Sequence, residues 1–216
     1  MPSRREILTA ILLGFTVAIA ACREPAPAAE HAAPTAHAAP AGDGAACACE
    51  QAKLVNGWCS ACGIGHVGGM PVPSAPLFDA IDAHGHEIDP ASLTCAACRD
   101  ALREDGFCAA CGWGFAGGEL HFSRLTWLLA RGTPVIPGRL ACSICREHAR
   151  SAGWCGACER GLVGHVAFTS REDHAIAAAE RERLLASIAM IDRCETCAAA
   201  SFTGARCHVC GIDYGR

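Results

Sequence analysis

The 216-residue chain is poor in most of what fills a large core or builds a charged interface. It has one tyrosine, four tryptophans, seven phenylalanines and three methionines, and aromatic residues make up only 6% of it. One conventional core for the whole chain is therefore not expected. Short units with another source of stability are. Lys53 is the sole lysine, and the arginines are scattered rather than massed. With a net charge of -4 and no basic stripe interleaved with aromatics, nucleic-acid binding is not expected. No apolar run reaches the roughly 20 residues that cross a bilayer. No Ser-His-Asp set, phosphate loop or paired-carboxylate pocket is legible, so no catalytic residue and no small-molecule substrate are assigned, and the chain reads as a non-enzyme.

What it has in abundance is cysteine, and sixteen of the seventeen fall into four groups of four. Cys95, Cys98, Cys108 and Cys111 make two Cys-x2-Cys pairs separated by nine residues. The frame returns at Cys142, Cys145, Cys155 and Cys158, and again at Cys194, Cys197, Cys207 and Cys210. The first group, Cys47, Cys49, Cys59 and Cys62, opens on the shorter Cys-x-Cys. Two residues between cysteines let a tight turn aim both sulfurs at one point, and two such turns supply a tetrahedral four-sulfur site. A disulfide framework is the main alternative for a cysteine-rich exported chain, although eight disulfides would leave that geometry unused. Thiol-disulfide exchange is a further one, since Trp58-Cys59-Ser60-Ala61-Cys62 and Trp154-Cys155-Gly156-Ala157-Cys158 superficially resemble the thioredoxin motif. Haem attachment is excluded, because Gly63, Arg99, Gly112, Arg146, Glu159, Ala198 and Gly211 follow the complete pairs and none is histidine.

Within the nine-residue gaps, Asn56-Gly57-Trp58, Asp105-Gly106-Phe107 and Ala152-Gly153-Trp154 read as a hairpin turn followed by an aromatic. That aromatic is expected to lie over the metal site and shield it. Gly63, Gly112 and Gly211 follow the second pair and let the backbone curl so that amides face the sulfurs. Arg99, Arg103, Arg146, Arg150 and Arg206 are placed to offset thiolate charge. These segments resemble the zinc-ribbon family, in particular the short ribbons of double-zinc-ribbon proteins with rubredoxin-type knuckles. The resemblance covers roughly a third of the chain. It implies zinc, about four ions per chain, held by cysteines on β hairpins; iron is the other cation four thiolates accept. Two departures stand out: no proline lies within the knuckles, and Gly204-Ala205-Arg206 replaces the Gly-aromatic pair in the last copy.

Between the ribbons come glycine-rich strands, Gly65–Gly69, Gly114–Gly118 and Gly161–Gly164, each followed by a helical stretch. Phe78–Ala83 and Ser123–Arg131 are expected to be capped by Gly85 and Gly132, and Arg171–Met190 to be an amphipathic helix with Ser170 as N-cap. The fold class is α+β: four tandem metal-stabilised ribbons linked by short strands and helices. The divisions are 47–94, 95–141, 142–193 and 194–216. His66 occupies a slot filled by Phe115, Leu162 and Tyr214 elsewhere, so it reads as packing; His31 and His37 read as solvated, His208 as pointing outward, and His84 and His86 as a pair that could chelate a metal transiently, though Arg131 and Thr133 replace them in the next repeat.

Ahead of the ribbons, residues 1–21 carry Arg4 and Arg5 and then the apolar run Ile7–Ala21, which reads as a signal peptide. Ile19-Ala20-Ala21-Cys22 resembles the lipobox of bacterial lipoproteins, which implies lipidation of Cys22. Ser3-Arg4-Arg5-Glu6-Ile7-Leu8 is similar to a twin-arginine export motif, which would let metal load before export. Residues 22–46, rich in alanine and proline, read as an extended tether. The functional expectation is a zinc-binding lipoprotein of the bacterial cell envelope, facing the periplasm or the outside. Its membrane contact runs through the lipid, and it serves as a binding or scaffold module for a protein partner. Metal buffering, trafficking or sensing is the alternative, and thiol redox chemistry the second. Native mass measurement is expected to find about four cations per chain, or about three where the irregular first group fails to bind.

Overall fold

The computed structural model describes residues 49–215, which form short helices and three small antiparallel sheets. The expected leader over 1–21, the tether over 22–46 with Cys22, and Cys47 lie outside the described residues. In chain order the first unit has α1 (Cys49–Leu54), β1 (Trp58–Cys59), β2 (Ile64–Val67), β3 (Met70–Val72), α2 (Ala75–Ile81) and β4 (His86–Glu87). The second has α3 (Ala96–Arg103), β5 (Phe107–Cys108), β6 (Trp113–Ala116), β7 (Glu119–His121), α4 (Arg124–Arg131) and β8 (Thr133–Pro134). The third has α5 (Ser143–Ser151), β9 (Trp154–Cys155), β10 (Arg160–Val163), β11 (Val166–Phe168) and the long α6 (Arg171–Ile188), before α7 (Glu195–Thr203).

The first cysteine pair starts a helix and not a hairpin arm. Cys95, Cys142 and Cys194 sit in extended backbone as N-caps, and α3, α5 and α7 follow directly. In α3 the residues between the pairs are largely Ala, Leu and Arg, whose helix propensity is high, and nine residues accommodate about two turns. The positive-φ residues are where the turn signals placed them, but they end a helix. Asn56 and Asp105 have φ of 51° and 49°, matched by Ala152 at 56° and Gly204 at 73°. The next amide returns to the helix, from Gly57 to Ala52 O at 2.8 Å and from Gly106 to Ala101 O at 2.7 Å. Asn56 Oδ1 and Asp105 Oδ1 also accept the Gly68 and Gly117 amides, at 2.7 and 2.9 Å, so one residue both stops the helix and fastens the hairpin tip.

The spacers stitch successive units together. The second sheet runs β4-β7-β6-β5 and the third β8-β11-β10-β9, so the outer strand of each comes from the preceding unit. The helix after each hairpin begins at a serine whose hydroxyl accepts an amide two positions into the helix: Ser74 from Leu77, Ser123 from Thr126, Ser170 from Asp173. Gly85 is not a cap. Asp82, at φ 47°, ends α2, and a side chain at Gly85 would run into Glu119. Gly132 does cap α4, yet in extended backbone, because Val166 leaves no room for a Cβ there.

An aromatic ring on each spacer helix packs directly against a glycine of the hairpin thirteen residues earlier. A Cβ on Gly65, Gly114 or Gly161 would come within 2.2 Å of the ring of Phe78, Trp127 or His174. The Trp127 indole N–H donates to Asp105 O at 3.1 Å and Phe115 O at 2.9 Å. The indole thus holds the end of the first helix of its unit to the hairpin. The His174 imidazole takes the equivalent place on Gly161 in the third unit.

The chain does not form an open row of ribbons. The last helix, α7, packs against α2 from the first unit as well as against α6, which brings Phe202 into contact with the rest of the core. A single apolar cluster then runs through Val67, Leu77, Phe78, Ile81, Trp127, Leu128, Leu184 and Phe202. The core is larger than the short repeats suggest because every unit contributes one helix to it. Replacing Gly114 by Ala is expected to cost about 2 kcal/mol, read as a lowered unfolding midpoint of the metal-loaded chain. Gly138→Ala, with open space around the site, is expected to change stability by less than about 0.5 kcal/mol.

Candidate metal centre

Helix and hairpin meet at the cysteines. In each complete cluster two thiols come from the N-terminal turn of a helix and two from the hairpin that follows, at the end of its first arm and in the turn after it. Cys95, Cys98, Cys108 and Cys111 converge so that all four sulfurs lie within 4.8 Å of one another, and so do Cys142, Cys145, Cys155, Cys158 and Cys194, Cys197, Cys207, Cys210. Sulfur–sulfur distances across helix and hairpin are 4.0 Å for Cys95–Cys108, 3.9 Å for Cys142–Cys155 and 4.0 Å for Cys194–Cys207. Four sulfurs at about 2.3 Å from one centre form a tetrahedron with edges of about 3.8 Å, so these thiols fit a four-coordinate soft cation. None of the twelve is in a disulfide. In the first group Cys49, Cys59 and Cys62 converge in the same way, and Cys47 lies outside the described residues. Counting thirteen back from Cys59, the frame puts its first ligand at Ala46, one residue before Cys47.

The second and third cysteines are buried in every complete cluster, while the first is half-exposed. Behind Cys98 and Cys108 stand Leu93, Ala101, Phe115 and Leu120; behind Cys145 and Cys155 stand Ala149, Leu162 and Ala167. This wall excludes water from one side of the sulfurs. Within each set the backbone and burial act in opposite directions. The amide three residues on donates to the first sulfur of a pair and lowers Cys95, Cys142 and Cys207 to about 7. Burial pushes Cys98 upward and takes Cys145 and Cys111 to about 12. One thiolate per set is thus stabilised by a backbone amide, and a bound cation would offset the cost of ionising the buried Cys98 and Cys145.

Several residues have other roles than the spacing suggested. Trp58, Phe107 and Trp154 do not cover the sulfurs. They neighbour a buried cysteine on a strand, where side chains alternate in direction, so they point to the spacer helix and meet Phe78, Trp127 and His174 at 5.6, 5.3 and 5.7 Å. Arg124 and Arg171 stack on the outer faces of Phe107 and Trp154. Arg99 donates to Leu93 O and Thr94 O, and Arg146 to Leu140 O and Ala141 O, so they clamp the chain entering the cluster. The amides aimed at sulfur belong to the cysteine pairs, as in Cys197 N to Cys194 Sγ and Cys210 N to Cys207 Sγ, both 3.3 Å. The Gly112 and Gly211 amides go to the Cys108 and Cys207 carbonyls instead. His66 is 4% exposed and fills its packing slot. His86 is paired with Asp82 at 2.9 Å.

The Gly-aromatic register was missed from sequence, although its constant offset of thirteen was there to be found. Comparison of the chain with protein-family models, with curated proteins and with solved structures finds no match. The functional reading accordingly rests on this geometry.

Cys98→Ser is expected to remove one bound cation per chain and to loosen the second unit, seen by native mass and by faster amide exchange over α3. Acidification is expected to work in the same direction. As the pH falls through 7 the most acidic thiols protonate, and protons compete with the cation for sulfur. Burial also lowers His66, His121 and His174 from 6.5, so below that value the unfolded chain takes up protons that the folded chain refuses, and stability is lost. A pH series from about 7.5 to 5 with a colorimetric chelator and circular dichroism checks both effects.

Proposed function

We propose that the chain is a zinc-stabilised binding module of the bacterial cell envelope. The carrying observation is the set of three complete four-thiol clusters, spaced for a tetrahedral cation and closed by their own protein ligands. An all-sulfur donor set favours zinc or iron over harder cations, and the absence of a fifth ligand or open position speaks for a structural role. Likeness to zinc ribbons is supported by the knuckle-bearing hairpins; the helix that precedes each hairpin is a departure from that pattern. The envelope location rests on the leader and on Cys22, through which a lipid would tether the folded part to a membrane. No reaction is assigned, and the partner is taken to be another protein that docks on the surface between units.

Metal buffering remains the second reading, favoured by the uneven exposure of the clusters. Thiol redox chemistry is the third. The chain purified anaerobically from its host and weighed intact under native and denaturing conditions tests all three. Zinc at about four equivalents with every thiol reduced is the expected result. A compact chain without metal, lighter by two hydrogens for each disulfide, would overturn it.

A further inference from the structure

We propose that the last cluster, Cys194, Cys197, Cys207 and Cys210, is an exchangeable site that passes its cation to a thiol-bearing acceptor, while the other complete clusters keep theirs for the fold. This rests on the metal-binding reading above. The other clusters of the same chain provide the comparison. The fourth ligand is half-buried in the second and third clusters, at Cys111 and Cys158, whereas Cys210 is exposed. The residue that backs the cluster is fully buried in those units, at Phe115 and Leu162, but Tyr214 in the same slot is only half-buried.

The two halves of the last cluster are also held differently. Cys197 lies in α7, whose Ala198, Ala200 and Phe202 are buried and which packs on α2 and α6. Cys207 and Cys210 lie on a hairpin that pairs through a single bridge, Arg206 to Asp213, with no strand added beside it among the described residues. Exposed Arg206 stands where Trp58, Phe107 and Trp154 stand in the other units, so the ring pair that fastens those hairpins to a covering helix is missing here. Cys197 and Cys207 are therefore buried together, Cys194 is half-buried, and Cys210 sits exposed on an arm without a covering ring. The arm can release the cation without disturbing the helix.

Val209 and Ile212 flank the exposed sulfur and are themselves 65% and 50% exposed. An acceptor that displaces thiolate needs a donor equally soft, which favours sulfur over carboxylate. In the exchange step the incoming thiol sulfur bonds to the cation, the bond from the cation to Cys210 Sγ breaks, and the proton of the incoming thiol passes to Cys210. Nothing is oxidised and total charge is unchanged. Repetition at Cys207 and then at Cys194 and Cys197, each taking a proton as its bond to the cation breaks, moves the cation onto the acceptor thiols.

The test uses the zinc-loaded full chain, challenged anaerobically with a small dithiol, with release read by a chromogenic chelator and by native mass. One equivalent is expected to leave about tenfold or more ahead of the rest, with the helical circular dichroism signal intact. In Cys210→Ser that early equivalent is expected to be missing while the chain stays folded; Cys111→Ser is expected to loosen the fold. Release of all equivalents in one phase together with loss of helix would overturn the proposal. So would an early equivalent that persists in Cys210→Ser, or a Cys210→Ser chain that fails to fold. A chain that binds no cation at all would defeat the metal-binding reading itself.

Discussion

Each unit of this protein is held at one point, where thiols converge between the start of a helix and a hairpin, four of them in each complete cluster. Elements this short have little independent stability, since a helix of about two turns and strands of a few residues bury too little to offset their ordering entropy. Joining them at the cysteines fixes the helix against the hairpin and sets the direction in which everything after it leaves. The thiols sit at tetrahedral spacing, and burial opposes their ionisation, so a cation there supplies what the apolar wall alone does not.

From that fixed hairpin a second layer of order follows. The strand places its cysteine on one side and its aromatic on the other, and the bare glycine opposite accepts a ring from the next helix. Because the ring lies on backbone, the helix approaches closely and its apolar side reaches the middle of the molecule. The indole of Trp127 hydrogen-bonds the backbone at Asp105 and Phe115, and the imidazole of His174 takes the same place on Gly161, so two chemically different residues fill one slot. The spacer strand then joins the following sheet. Local order at the sulfurs thus becomes long-range order, and the units are not independent beads.

The cysteine groups, the repeat frame, the Ser170 N-cap and the positive backbone angles at Asn56 and Asp105 were all legible from spacing and residue type. These are local properties, and turn or cap chemistry acts over three or four residues. The element around Asn56 and Asp105 was not legible, because Asn-Gly and Asp-Gly end helices as readily as they turn hairpins. Nor was the target of Trp58, Phe107 and Trp154, which depends on which face of a two-residue strand meets the sulfurs. The irregularity of the last copy was visible as Arg206 in place of an aromatic, but its consequence, a hairpin without a covering ring, needs the neighbouring helices in view.

By itself the sequence determined which atoms can bind a cation and how often, since ligand type and spacing depend only on neighbouring residues. Only the tertiary structure decided that α7 returns to α2, that one core serves all units, and that the last cluster is the open one among the complete sets. Those outcomes depend on contacts between residues more than a hundred positions apart, such as Phe78 and Phe202 within one cluster, and no local pattern records them.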